Sequence, residues 1–271
     1  MSDVEINLSV ANRQLRMVFD LDSPVHQSIL NSIQTLGAYE PATTLFLGRV
    51  LRRGDTFIDV GAHIGFFSLI GAALVGEAGR VIAVEPFVTN FERLRHNVEL
   101  NNLTEKIQIL QTVVSDANGT VDFHINKDND GGHALWDPAL HSANILTREA
   151  PEKITVRSMT LSSLIADVGC ERARLMKIDT EGAEAGILES GSAWLSTGGV
   201  DFIIAEVNAS GLMNMGSNVD SLFTLARDLG YVVCLPNDDG SPPVLLDASN
   251  RPNPQYVYNV VLARPEALAA L

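Results

Sequence analysis

Residues 4–20, VEINLSVANRQLRMVFD, alternate apolar and polar positions on either side of Ala11-Asn12, the period-two pattern of a hairpin with one buried face. The spacing then becomes helical. One helix is expected from Pro24 to Leu36, and Pro41, a residue well tolerated in a first turn, opens a second that ends near Gly54. From Phe57, short β-branched runs alternate with stretches of helical length. FIDV and RVIAVE flank GFFSLIGAALVGE, Thr89 and Glu92 have capping-box spacing ahead of NFERLRHNVELNNL, and IQILQTVVSD reads as one third strand. The alternation pauses over residues 119–160, where TVDFHI and ITVRSM read as inserted strands around a polar loop. It resumes with RLMKID, AEAGILESGSAWL and VDFIIAEV, then a helix over 218–229, the strand YVVCL, a polar loop at 236–255 and a last strand, YNVVLAR.

Strands alternating with helices imply an α/β fold, a mostly parallel seven-stranded sheet with helices on both faces and right-handed crossovers. The expected organisation is an N-terminal hairpin and helical cap, residues 1–54, and an α/β domain, residues 55–271, carrying the insertion 119–160. The two form a single globular unit, and a chain of 271 residues with 46% hydrophobic content supports one large core.

Ligands of such sheets lie beyond the carboxyl ends of the strands. The first strand of the alternating region ends at Val60, which places the turn Gly61-Ala62-His63-Ile64-Gly65 there. A dinucleotide site needs a second glycine where His63 stands, so that pyrophosphate can approach the backbone; its absence disfavours NAD and FAD. An acidic residue after the second strand is present as Glu85, followed by Pro86, and a carboxylate there can accept both ribose hydroxyls of an adenosine. S-adenosylmethionine has the ribose without the pyrophosphate, and His63 then becomes a binder at its methionine end.

Charge narrows the partners. Thirty-three acidic residues against nineteen Lys plus Arg give −14, which weighs against nucleic acid. Cys170 and Cys234 have no metal spacing and suit a reducing, cytoplasmic setting as inert core thiols. The N-terminal sequence lacks the basic and apolar regions of a signal peptide, and no window is long enough for a membrane span.

The segments FIDVGAHIGFFS, VIAVEP, LRHNVELNN, LMKIDTEGAE and IIAEVN, in this order, resemble the FkbM-type S-adenosylmethionine-dependent methyltransferases from about Tyr39 to Asn208. The family usually has asparagine where this chain has His63. The resemblance implies a class I, Rossmann-like methyltransferase fold, S-adenosyl-L-methionine as cofactor, an acceptor that is often a sugar or natural-product hydroxyl, and no required metal. Asp59 and Gly61 would shape the turn, with Ala62, His63 and Gly65 completing it. Glu85 and Pro86 would meet the ribose, Ser115-Asp116 the adenine, and Glu40 the cofactor's ammonium, with Tyr39 beside it over the substrate.

For the chemistry, an acceptor must be aligned and its proton taken. LMKIDTEG brings Lys177, Asp179 and Glu181 to one strand edge, with Asp179 and Glu181 as candidate catalytic groups facing the acceptor. Lys177 in an apolar strand needs a partner, for which Glu206 on the neighbouring strand is the expected carboxylate. His133, in a glycine-flanked loop, is a candidate base near neutral pH, against the plainer reading of a surface histidine. Asn126, Asp128, Asp130, Gly131 and Asp137 have calcium-loop spacing, but without flanking helices they read as a polar turn or lid. O-methylation of a small molecule leads. Methylation of a peptide amide or amine and a non-catalytic cofactor-binding domain are the alternatives, and a homodimer is compatible with either.

Overall fold

The computed structural model describes residues 2–253 and 255–271; Pro254, within the loop expected at 236–255, lies outside them. The chain begins with the hairpin β1 (Asp3–Val10) and β2 (Arg13–Asp20), whose turn residues Ala11 and Asn12 both have positive φ. Helices α1 (Pro24–Leu36) and α2 (Pro41–Val50) follow. The alternating region comprises β3 (Thr56–Val60), α3 (Phe66–Val75), β4 (Arg80–Val84), α4 (Val88–Leu100) and β5 (Ile107–Leu110). The insertion holds β6 (Val113–Ser115), β7 (Gly119–Ile125), α5 (Ile145–Glu149) and β8 (Glu152–Thr160). Then come α6 (Leu161–Asp167), β9 (Ala173–Ile178), α7 (Glu184–Ser190), α8 (Ser192–Ser196), β10 (Val200–Val207), α9 (Ala209–Asn214), α10 (Val219–Asp228), β11 (Val232–Leu235), β12 (Val244–Leu245), β13 (Tyr258–Ala263) and α11 (Pro265–Leu268).

The main sheet runs β12-β11-β13-β10-β9-β3-β4-β5, one strand more than expected because the two-residue β12 pairs with β11. β10, β9, β3, β4 and β5 are mutually parallel, and β13 is antiparallel to both β10 and β11. One face is covered by the cap together with α3 and α4, through Met17, Phe19, Ile29, Phe46 and Leu69. Leu161, Ile187, Leu195 and Leu222 of α6, α7, α8 and α10 cover the other. The cap is tied to α4 by side-chain amides: Asn97 Oδ1 accepts the Val18 N–H at 2.9 Å, and Asn101 Oδ1 that of Arg16 at 2.8 Å.

Four local expectations are corrected. IQILQTVVSD is two strands, because β6 leaves the main sheet to pair with β8 in a three-stranded sheet ordered β6-β8-β7. The second helix stops at Val50, where Leu51 adopts an extended conformation. AEAGILESGSAWL breaks at Gly191 into two helices. The Thr89–Glu92 capping box does not form, since α4 is capped by Phe87 with no side-chain bond.

Candidate active site

The registers of the central strands explain the site. Val84, Val60, Ile178 and Ala205 are cross-strand partners along β4, β3, β9 and β10. The next residue on each strand, Glu85, Gly61, Asp179 and Glu206, therefore falls in one row beyond the carboxyl edge. Asn259 of β13 sits opposite Glu206 and extends the row. Above it opens a cavity of about 520 Å³, lined among others by Tyr39, Glu40, Ala62, His63, Pro86, Lys177 and Glu181.

Gly61, with φ 83°, is needed for packing as well as for the turn: a Cβ there would stand 1.9 Å from the Asp179 carbonyl oxygen. Gly65 does not line the cavity. Its φ is 91°, and a Cβ would lie 2.5 Å from Leu94, so it serves helix packing rather than ligand contact. Asp59 also lies behind the turn, 1% exposed, where it accepts a bond from Ser68 Oγ at 2.5 Å and burial raises its pKa to about 6.

Glu85 accepts two backbone N–H groups, from His63 and Phe87, each at 2.9 Å. Each carboxylate oxygen keeps a free lone pair, and burial raises the pKa to about 7. The His63 main chain is thus tied to Glu85, while its ring packs edge-on to His26 at 5.4 Å. This places the imidazole beside His26 of the cap and Asp130 of the insertion, within the cavity lining.

Lys177 is 2% exposed and pairs with Asp179 Oδ2 at 2.5 Å, two residues along its own strand, with its ammonium 4.6 Å from the centroid of the Phe67 ring. Asp179 replaces Glu206 as the lysine's expected partner. Burial and the neighbouring Asp179 hold Glu206 well above the usual carboxylate range. Glu181 accepts from Asn208 Nδ2 at 2.7 Å, and burial together with Asp179 raises its pKa to about 7. Trp136 from the insertion donates to the Glu181 carbonyl at 2.6 Å.

Glu40 has φ 41° and caps α2 with no side-chain bond; its carboxylate instead accepts from Asn259 Nδ2 at 2.7 Å. Six described non-glycine residues have positive φ, and three of them, Glu40, His63 and Glu181, line this cavity. Left-handed backbone costs an L-residue about 1–2 kcal/mol, and such conformations concentrate at functional sites.

Ser115 and Asp116, expected at the adenine, are not among the residues lining the cavity. The Ser115 hydroxyl is 2.6 Å from that of Ser158 inside the small sheet, Asp116 is exposed, and the cavity wall is formed instead by Thr112, Val113 and Val114. His133 is not on the surface. It is 8% exposed, burial pushes its pKa down to about 4, and its Nδ1 accepts the Asn126 N–H at 2.9 Å. The other nitrogen of the neutral ring, Nε2, therefore carries the proton and can only donate.

The calcium-like spacing is a chain of turns. Asn126 Oδ1 accepts from the N–H groups of Asp128 and Asn129, Asp128 accepts from Leu146 and Thr147 at the start of α5, and Asp137 accepts from Ala139. Asp130 accepts from Ser23 Oγ at 2.8 Å, and its carbonyl from Asn90 Nδ2 at 3.0 Å, fastening the loop to the cap and to α4. His26, His63 and Asp130 bring ligand-type atoms within 4.8 Å of one another. A metal is nevertheless disfavoured there, because His26 Nδ1 accepts the Asp20 N–H and its Nε2 must hold the proton that a metal would displace.

Two curated relatives match. A methyltransferase of Sordaria araneosa, sdnD, is 27% identical over 152 residues, 49% of this chain and 58% of that protein. The AMB antimetabolite synthetase AmbE of Pseudomonas aeruginosa is 26% identical over 245 residues, 80% of this chain and 11% of that protein. The match thus spans little more than half of one relative and a small part of the other. Among solved structures, the methyltransferase FkbM of Methylobacillus flagellatus aligns over 88% of this chain and 53% of its own, at 15% identity and a TM-score of 0.45. Residues 59–233 match the methyltransferase FkbM domain, and the chain belongs to that family of methyltransferases.

Proposed function

We propose that this methyltransferase uses S-adenosylmethionine to methylate a hydroxyl of a small molecule such as a sugar or natural product. The observation that carries the reading is Glu181, a cavity-lining carboxylate held by Asn208 and poised by burial at a pKa of about 7, the value a general base needs near neutral pH. The residues present fit the cofactor. Glu85 has lone pairs left for ribose hydroxyls, the Glu40 and Asp179 carboxylates suit an ammonium and a sulfonium, and Pro86, Val113, Phe123 and Leu135 offer apolar surface for a purine. The same carboxylates would repel a pyrophosphate.

When bound, the sulfonium supplies a methyl group already attached to a good leaving group. The chain's own residues then align the acceptor and remove its proton. Lys177 and Asp179 fix the strand edge against which the hydroxyl is held, and Glu181 takes the proton. The experiment is transfer of labelled methyl from S-adenosylmethionine to a panel of hydroxyl and amide or amine acceptors, with the product bond located by NMR. A methyl found only on nitrogen would overturn the hydroxyl assignment.

Two further results are expected. Glu85→Ala should weaken S-adenosylhomocysteine binding by about 1.5–3 kcal/mol, the scale of hydrogen bonds to a charged group, as read by calorimetry on a variant with native circular dichroism. Activity should also persist after chelator treatment, since His26 Nε2 is a donor and the Asp128 carboxylate is occupied by backbone. Loss of turnover that magnesium or calcium restores would contradict this.

A further inference from the structure

The cavity lining includes apolar Pro86, Val113, Phe123 and Leu135 alongside polar Thr112, Asn129 and Asp130. His133 stands among the residues lining this cavity. His133 is more than nine-tenths buried, its ring lies edge-on to Phe87 at 4.3 Å between centroids, and Phe123 flanks it at 6.1 Å. The Asn126 N–H occupies Nδ1, so the proton is on Nε2, and Nε2 has no partner within the protein. A buried donor without an acceptor is destabilising, and a ligand acceptor atom at this position would relieve that cost.

We propose that His133 Nε2 donates a hydrogen bond to a ring nitrogen of the cofactor's adenine, so that the insertion, and not the main sheet alone, reads the purine. The inference rests on the cofactor assignment above. The chemistry is selective because adenine offers acceptors only at ring nitrogens, whereas its exocyclic amine is a donor that this histidine cannot accept. His133 is on this view a positioning residue for the cofactor, with no part in proton transfer.

The test is calorimetry on the full chain with S-adenosylhomocysteine and its 1-deaza, 3-deaza and 7-deaza analogues, each replacing one ring nitrogen by C–H. One analogue should bind the unmutated protein about tenfold more weakly than S-adenosylhomocysteine. His133→Phe keeps a ring against Phe87 and removes the donor. It should bind S-adenosylhomocysteine about tenfold more weakly and should not distinguish it from that analogue, a coupling that a purely structural role would not produce. His133→Leu provides the same cycle if the phenylalanine variant is unstable. Three analogues that all bind as well as S-adenosylhomocysteine, or an analogue preference that survives in the variants, would overturn the inference alone. Failure of S-adenosylhomocysteine to bind the unmutated protein would overturn the cofactor reading, and this inference with it.

Discussion

Glutamine in place of Glu181 should lower the saturated rate of methyl transfer by about 10²–10⁴-fold, the usual contribution of a positioned general base. Glutamine preserves an oxygen near Asn208 and removes only the capacity to take a proton, so the cofactor's Michaelis constant should change little. The pH profile is the sharper readout. With its pKa raised to about 7, Glu181 is increasingly protonated below neutrality, and the rate should fall about tenfold per unit as pH drops below that value and level off above it. In the glutamine variant the limb belonging to this group should vanish. A variant that retained both the rate and the limb would assign proton removal to another group.

Lys177→Met should destabilise the protein by about 3 kcal/mol at pH 8, toward the lower end of the range for breaking a buried ion pair because Asp179 remains a quarter exposed. Lys177 is the cation against which Asp179, Glu40 and Asp59 are balanced, and their field raises its own pKa. The lysine's stabilising contribution is therefore complete below its unfolded pKa and would be lost only as pH rose through the still higher folded value. The pH dependence of the variant comes from the acids it leaves behind. Asp59, already raised to about 6, binds more protons in the folded than in the unfolded state between roughly pH 4 and 6, so its contribution to stability declines as pH climbs through that window. Removing Lys177 extends the window upward, and the deficit should be smaller at pH 5.5 than at pH 8. Denaturant unfolding at the two pH values checks this; equal stability to the parent protein at pH 8 would show that the pair is not balanced as described.

The main-sheet strands other than β12, and the elements of the cap, were legible in sequence from their period and their connections. The first helix occupies Pro24–Leu36 as its pattern implies, and β3 and β4 fall where FIDV and RVIAVE placed them. The divergence of β6 was not legible. Residues 107–115 are one β-branched run, and the break is imposed from afar, by Thr112 donating to the Arg157 carbonyl and by β8 offering an edge. For the site, the row of Glu85, Gly61, Asp179 and Glu206 could be found from strand ends alone. The cavity wall contributed by the insertion could not, since Phe123, His133 and Leu135 reach the cavity only through its folding. Nor does sequence show which nitrogen of a histidine is engaged. A single backbone N–H from Asn126 turns His133 from a candidate base into a donor.

The Glu40–Asn259 contact also has a meaning in time. Glu40 leaves the ribosome among the early residues, yet the amide that holds its carboxylate lies 219 residues later. At about 5–20 residues per second, roughly 10–45 s of synthesis separate the two. For most of that interval the chain already carries the glycine turn and Glu85 but lacks the clamp on Glu40, so this side of the cavity is completed only when β13 joins the sheet.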